Sequence, residues 1–220
     1  MSERAGAAAH LDPAYVGILH VCVANQCRSP MAERFGRHQV AVHPAARHLR
    51  ITSAGVRAVD GHPMHPYAVA ALDRLGVDHR EFASRRATAE VLTAADLILT
   101  ATAAERDTVV SLLPAALRTT FTLLEFARLA PAVPAPDPGG DPAERARAVV
   151  AAALRLRGRL PYAGPDADDI PDPPRTPVAF ERCAATIADA SAAVVAALCG
   201  PPAERVLSPT ADRLLRTRTS

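Results

Sequence analysis

Apolar residues fall in short solid runs through the first half of this chain, and between the runs they recur every three or four positions. Val16–Val23 is apolar at nearly every position, which predicts a first strand buried on both faces. Met31–Val42 has helical spacing and stops near His43-Pro44. Leu49–Ser53 predicts a second strand running into the turn Ser53-Ala54-Gly55. A helix over Met64–Leu75 ends at Gly76, Phe82–Arg86 is a connecting loop, and Thr88–Ala94 is a short helix. Asp96–Ala101 is a third buried strand, Glu105–Leu113 a helix closed by Pro114, and Thr119–Leu123 a fourth strand. Strands alternating with helices predict an α/β fold, a four-stranded parallel sheet covered on both sides.

The texture then changes. Residues 131–142 are rich in Pro, Gly and Asp and lead into an Ala- and Arg-rich helix over 143–157, expected to face solvent. A second punctuated loop, 161–177, precedes a long final helix over Val178–Leu198, stopped by Gly200-Pro201-Pro202. The expected organisation is one domain over residues 15–200 with a helical insert at about 131–160. It is flanked by a poorly ordered segment at 1–14 and a mobile tail at 201–220.

Composition narrows this. In 220 residues, 49% are hydrophobic but only 4% aromatic, so the core must be built from Ala, Val and Leu. A net charge of +2 offers no argument for nucleic acid or a membrane surface. No segment reads as an export signal or a bilayer span, and the four cysteines (22, 27, 183, 199) lack zinc spacing. Free thiols in the cytoplasm are the expectation, with Cys183 and Cys199 in the core. His20 reads as a core histidine, His62 and His65 as surface histidines, and the acids at 166, 168 and 169 as a solvated loop.

The candidate chemistry lies at the end of the first strand. In Cys22-Val23-Ala24-Asn25-Gln26-Cys27-Arg28-Ser29-Pro30 a thiol is followed by a tight loop and a helix start, with Pro30 suited to the first helical position. Such a loop gathers backbone N–H groups into an anion site at a helix N-terminus. A thiol there ionises easily, and Arg28 can grip two oxygens of a phosphoryl group.

The string Cys22-x5-Arg28-Ser29-Pro30, with Asn25 and Cys27 inside it, resembles the C-x-G-N-x-C-R-S-P phosphate loop of the low-molecular-weight protein tyrosine phosphatases. Ser53-Ala54-Gly55, Ser84-Arg85 and the strand Ala95–Leu99 are similar to further family segments, so the resemblance spans roughly 15–199. It implies a three-layer, flavodoxin-like α/β/α fold and a metal-free, cofactor-free phosphatase of longer bacterial type. Cys22 would be the nucleophile and Arg28 the phosphate clamp. Residues Val23, Ala24, Asn25, Gln26, Cys27 and Arg28 would bind phosphate, and Ser29 would assist Cys22 as leaving group. Asn25 and Ser53 would support the loop.

The family's general acid sits in an Asp-Pro pair before the last helix. Two such pairs exist, Asp137-Pro138 and Asp172-Pro173, and position favours Asp172. Ala24 stands where the family has Gly, so a positive φ there would strain the loop. Phe82 replaces a supporting His, while Val59 and Pro174-Arg175 stand near where aromatic walls are common. The substrates expected are therefore a phosphotyrosine protein or a small phosphorylated metabolite, with inorganic phosphate as product. The rivals are an arsenate reductase, in which Cys27 alone would have to resolve the adduct, and a non-catalytic phosphate-binding relative. Cys27 could also protect Cys22 as a redox partner.

Overall fold

The computed structural model describes residues 13–134, 140–159, 164 and 166–200. Asp137-Pro138, the first twelve residues and the tail at 201–220 lie outside the described residues. Four strands, β1 (Val16–Cys22), β2 (Leu49–Gly55), β3 (Leu97–Thr100) and β4 (Thr120–Thr122), form one parallel sheet in the order β2-β1-β3-β4. Around it lie α1 (Arg28–Val42), α2 (Pro66–Arg74), α3 (Ala89–Thr93), α4 (Ala103–Leu112), α5 (Leu123–Leu129), α6 (Pro142–Leu156) and α7 (Pro177–Cys199).

Side-chain alternation along β1 divides the core. Val16 and Ile18 join one apolar cluster with Met31 and Phe35 of α1, Phe126 of α5, Val149 of α6 and Ile187 of α7. Leu19 and Val21 point the other way, to Leu92 of α3 and Val109 of α4. A strand clothed on both faces is apolar on both, which is why the run at 16–22, His20 apart, shows no alternation. Strand order reverses between β1 and β3, so the crevice beyond their C-terminal ends is where a fold of this kind takes its ligand.

Three expectations need correction. Residues 123–129 form α5, where the sequence reading had only the end of a strand. Thr122 and Glu125 make a capping box that starts this helix directly from β4. Helix α6 is no solvated rod: Ala143, Ala146, Val149, Val150 and Ala153 form one buried face. Finally, α7, at 23 residues, is long and apolar enough to cross a membrane by length and composition, although no such segment was expected. Half of its apolar window is buried in the fold, against α1, α2, α5 and α6.

Candidate active site

The 23–27 loop is shaped by what its carbonyls do. Those of Cys22, Val23, Gln26 and Cys27 accept from the N–H groups of Val56, Arg57, His65 and Met31, at 2.8–3.1 Å. All described peptide bonds are trans, so the N–H following each of these carbonyls points the opposite way. The amides of Val23, Ala24, Cys27 and Arg28 therefore turn away from the loop's neighbours and into its hollow. Helix α1 begins at Arg28, earlier than the expected Met31, and adds its N-terminal amides. Pro30 is thus the third helical residue, where its missing N–H is still no loss.

Gly55 makes the loop possible. A Cβ there would lie 2.6 Å from the Val23 carbonyl oxygen and 2.7 Å from the Asn25 nitrogen. The left-handed residue is Asn25 (φ 54°), a type that tolerates this region, and Ala24 keeps a negative φ. The strain anticipated at Ala24 is absent because the chain places its turn one residue later.

Asn25 is fully buried and uses its whole amide. Its nitrogen donates to Ser29 Oγ and Ser53 Oγ, each at 2.9 Å, and its oxygen accepts from the Arg85 backbone at 2.9 Å. Ser53 Oγ donates to Glu33 Oε2 at 2.5 Å, and Glu33 in turn faces Arg37 at 3.3 Å. Arg85 Nε donates to the Ser53 carbonyl at 2.7 Å. Burial draws the Arg85 guanidinium below its ordinary range, against the opposing pull of Glu33. The support that Phe82 cannot give is supplied instead by Arg85 and Glu33. Phe82 itself lies half-buried under the Arg34 guanidinium, 5.8 Å from its ring centroid.

Cys22 Sγ lies 3.0 Å from Ser29 Oγ, which also donates to the Ala54 carbonyl at 3.1 Å. The serine has one proton and two acceptors. A protonated sulfur donates to Oγ and leaves that proton on Ala54, whereas a thiolate draws it to sulfur.

Arg28 is 5% exposed and gripped on one side: Nη1 donates to the Ile170 carbonyl at 3.1 Å and pairs with Glu105 Oε1 at 3.3 Å. Its Nε lies 3.3 Å from Asp172 Oδ1, at ion-pair distance but without hydrogen-bond geometry. Nε and Nη2 form the guanidinium edge suited to two oxygens of a phosphoryl group. Asp172, with its side chain 77% exposed, stands at the mouth.

Of the three acids expected in a solvated loop, Asp166 is exposed, whereas Asp168 and Asp169 are half-buried and fastened to the fold. Thr122 Oγ1 donates to the Asp168 carbonyl at 2.6 Å, and Arg128 holds the Asp168 carboxylate through two bonds of 3.0 and 2.5 Å. Asp169 accepts from the Ala103 amide at 2.8 Å, and Ile170 N donates to the Ala101 carbonyl at 2.8 Å. Burial raises the Asp169 carboxyl above its usual range.

Cys22, Arg28, Ser29, Asn25, Ser53 and Asp172 thus converge as the sequence expected. Arg85 was singled out only as half of the Ser84-Arg85 pair and given no role, and Glu105, Glu33 and Arg128 were missed. Only Glu105 left a local signal, since Thr102-x-x-Glu105 is a capping-box pattern at a helix start. In the structure Thr102 hydrogen-bonds Glu105, whose other oxygen faces Arg28.

Cys27 lies against Cys183 of α7, and hydrogen bonding between the two thiols, together with burial, pushes Cys27 up. His65 is more than a surface residue: it caps α2, accepting from Tyr67 N at 3.1 Å, and stacks on Phe180 at 4.6 Å. His20 is buried as expected, but its Nδ1 finds no hydrogen-bond partner. Val59, 65% exposed, and Arg175 both face solvent.

A family model for low molecular weight phosphotyrosine protein phosphatase matches residues 17–156. A probable low molecular weight protein-tyrosine-phosphatase EpsP of Ralstonia nicotianae is 35% identical over 109 residues, 50% of this chain and 71% of that protein. An arsenate reductase of Shouchella clausii is 34% identical over 83 residues, 38% of this chain and 54% of that protein. Among solved structures, the tyrosine phosphatase Wzb from Escherichia coli K30 superposes with a TM-score of 0.57 at 21% identity, covering 80% of this chain and 94% of that one, a likeness of fold. The family match stops short of Asp172; the coordinates are what bring that residue to Arg28.

Proposed function

The chain belongs to the low molecular weight phosphotyrosine protein phosphatase family, and from that membership we propose that it hydrolyses phosphomonoesters through a phosphocysteine on Cys22. Cys22 sulfur attacks phosphorus in line while the ester P–O bond breaks, and the departing oxygen takes the Asp172 proton. Water then attacks the phosphocysteine and gives a proton to Asp172. The S–P bond breaks, and phosphate leaves. Arg28 and the loop amides hold the three equatorial oxygens where charge builds. In the second step the Ser29 hydroxyl turns its proton to the departing thiolate.

One observation carries this reading. Within a single cluster, the sulfur sits 3.0 Å from a hydroxyl that can stabilise its anion, and the guanidinium at the helix start is flanked at 3.3 Å by a solvent-facing carboxylate. Substrates are phosphotyrosine proteins or small phosphorylated metabolites. Arg175, exposed three residues after Asp172, favours an acidic or polyphosphorylated ligand. The reading sets the protein in the cytoplasm, because a thiol nucleophile works where thiols stay reduced.

The test is rapid quench with a labelled aryl phosphate. Wild type and Asp172→Asn should yield a trapped phosphocysteine on Cys22, and Cys22→Ser no turnover. Tight phosphate binding without any adduct would establish the non-catalytic alternative. A panel of phosphotyrosine peptides, phosphoserine peptides and phosphometabolites then ranks substrates. The second reading is arsenate reduction, favoured by the likeness to an arsenate reductase and by Cys27, which packs against the core cluster that contains Cys183. Thiol-dependent arsenate turnover without aryl phosphate hydrolysis would select it.

A further inference from the structure

Asp172 makes little contact of its own, so something else must hold it over the pocket. The chain around it is stiff: Pro171, Pro173 and Pro174 fix their own φ and restrict the residue before each. A stiff segment transmits whatever fixes its near end. That end is Ile170, and two residues before it Asp168 is held twice. Its carbonyl accepts from Thr122, the N-cap of α5, and its carboxylate is clamped by Arg128 from the last turn of the same helix. Ile170 itself is tied through both its N–H and its carbonyl to β3's end and to Arg28.

We propose that Arg128 and Asp168 are positioning residues for the general acid: their bidentate pair sets the reach of segment 168–172 and so places the Asp172 carboxyl at the leaving oxygen. This rests on the phosphatase reading of Asp172. Helix α5 is itself tied to α6, because Arg157 donates to both oxygens of Glu125 at 2.8 and 3.0 Å. The clamp therefore stands on the body of the fold.

The role has a signature that a merely structural one lacks. For a substrate whose leaving group departs readily as its anion, kcat/KM reports attack and binding and needs little proton donation. For phenyl phosphate it needs the acid. Arg128→Ala and Asp168→Asn should therefore lower kcat/KM for phenyl phosphate by about tenfold, part of the roughly 10²–10⁴ a general acid supplies. With 2,4-dinitrophenyl phosphate kcat/KM should stay within about twofold of wild type.

Arg128→Lys, which keeps one cation but not the fork, should fall between, and it serves where the alanine variant fails to fold. Asp172→Asn is the control and should show the same leaving-group dependence at larger amplitude. In combination with Asp172→Asn, the Arg128 variants should add nothing. If Asp172→Asn discriminates between the two esters and folded Arg128 and Asp168 variants do not, the positioning role is refuted and the acid stands. Equal losses on both esters would also refute it, tracing the effect to the phosphate cradle. If Asp172→Asn does not discriminate, both readings fall.

Discussion

Glu105 Oε1 lies 3.3 Å from Arg28 Nη1, and both side chains are about 95% buried. A buried guanidinium with one side fixed by a carboxylate can turn only its other edge to a ligand. Removing the Glu105 charge leaves Arg28 with only the exposed Asp172 carboxylate and the Ile170 carbonyl beside it, so part of the about 3–5 kcal/mol lost on breaking a buried pair is expected in stability. We expect Glu105→Gln to lower the unfolding midpoint and to weaken kcat/KM by up to about 10², the scale of a misplaced phosphate clamp. Unlike the clamp on Asp168, this loss should be the same for phenyl and 2,4-dinitrophenyl phosphate, since Arg28 meets the phosphoryl group and not the leaving oxygen. Steady-state kinetics on the two esters separates them, and a loss confined to phenyl phosphate would remove Glu105 from the cradle.

The single proton of Ser29 gives a second prediction. Ser29→Ala deletes the donor that meets the sulfur as it leaves phosphorus, a contact worth about 1–3 kcal/mol when buried. Hydrolysis of the phosphoenzyme should slow about ten- to hundredfold on that scale. Its formation should suffer less, so kcat falls while kcat/KM for an activated ester is largely kept. Burst kinetics should show the adduct accumulating. Slower formation with unchanged breakdown would contradict the role.

Much of this was legible in the residues. The solid run at 16–22, the loop from Cys22 to Ser29 and the Asp-Pro pair before the last helix each carry a local constraint, whether of burial, turn or chemistry. What escaped is what only tertiary contact creates. Arg85 reads as one of two consecutive arginines, and nothing local says that its backbone closes the Asn25 network. Arg128 reads as a surface cation until Asp168 arrives, 40 residues on. The buried side of α6 was hidden because its apolar face is mostly alanine, so its arginines dominated the pattern. The strain expected at Ala24 failed because a family pattern fixes residue types, whereas φ at each position depends on how this chain turns.

Gly55 supplies a third test. A methyl group at 2.6 Å from the Val23 oxygen and 2.9 Å from the Ala24 carbonyl carbon meets backbone that cannot yield without moving the phosphate loop. At Gly36 the corresponding clash, 2.7 Å, is with Cδ1 of Ile51, the far end of a flexible side chain. Gly55→Ala should therefore abolish turnover and vanadate binding, with about 1–3 kcal/mol lost in stability from overpacking. Gly36→Ala should keep activity. Equal activity in the two variants would mean that the loop accommodates the methyl group without losing its shape.

His20 makes stability depend on pH in a direction that can be worked out. Burial lowers its pKa from 6.5 to about 3. Between those values the unfolded chain binds a proton there and the folded chain does not, so unfolding takes up a proton and stability falls as pH falls. One proton corresponds to about 1.4 kcal/mol per pH unit, and the term vanishes above the unfolded value. Urea unfolding at pH 7.5, 6.0 and 5.0, for wild type and His20→Gln, isolates this residue from the carboxylates that titrate in both. The variant should lose less stability than wild type on going from pH 6.0 to 5.0, by about 1 kcal/mol. Identical slopes would mean that His20 takes a proton inside the sheet, in which case its unpartnered Nδ1 has found an acceptor on protonation.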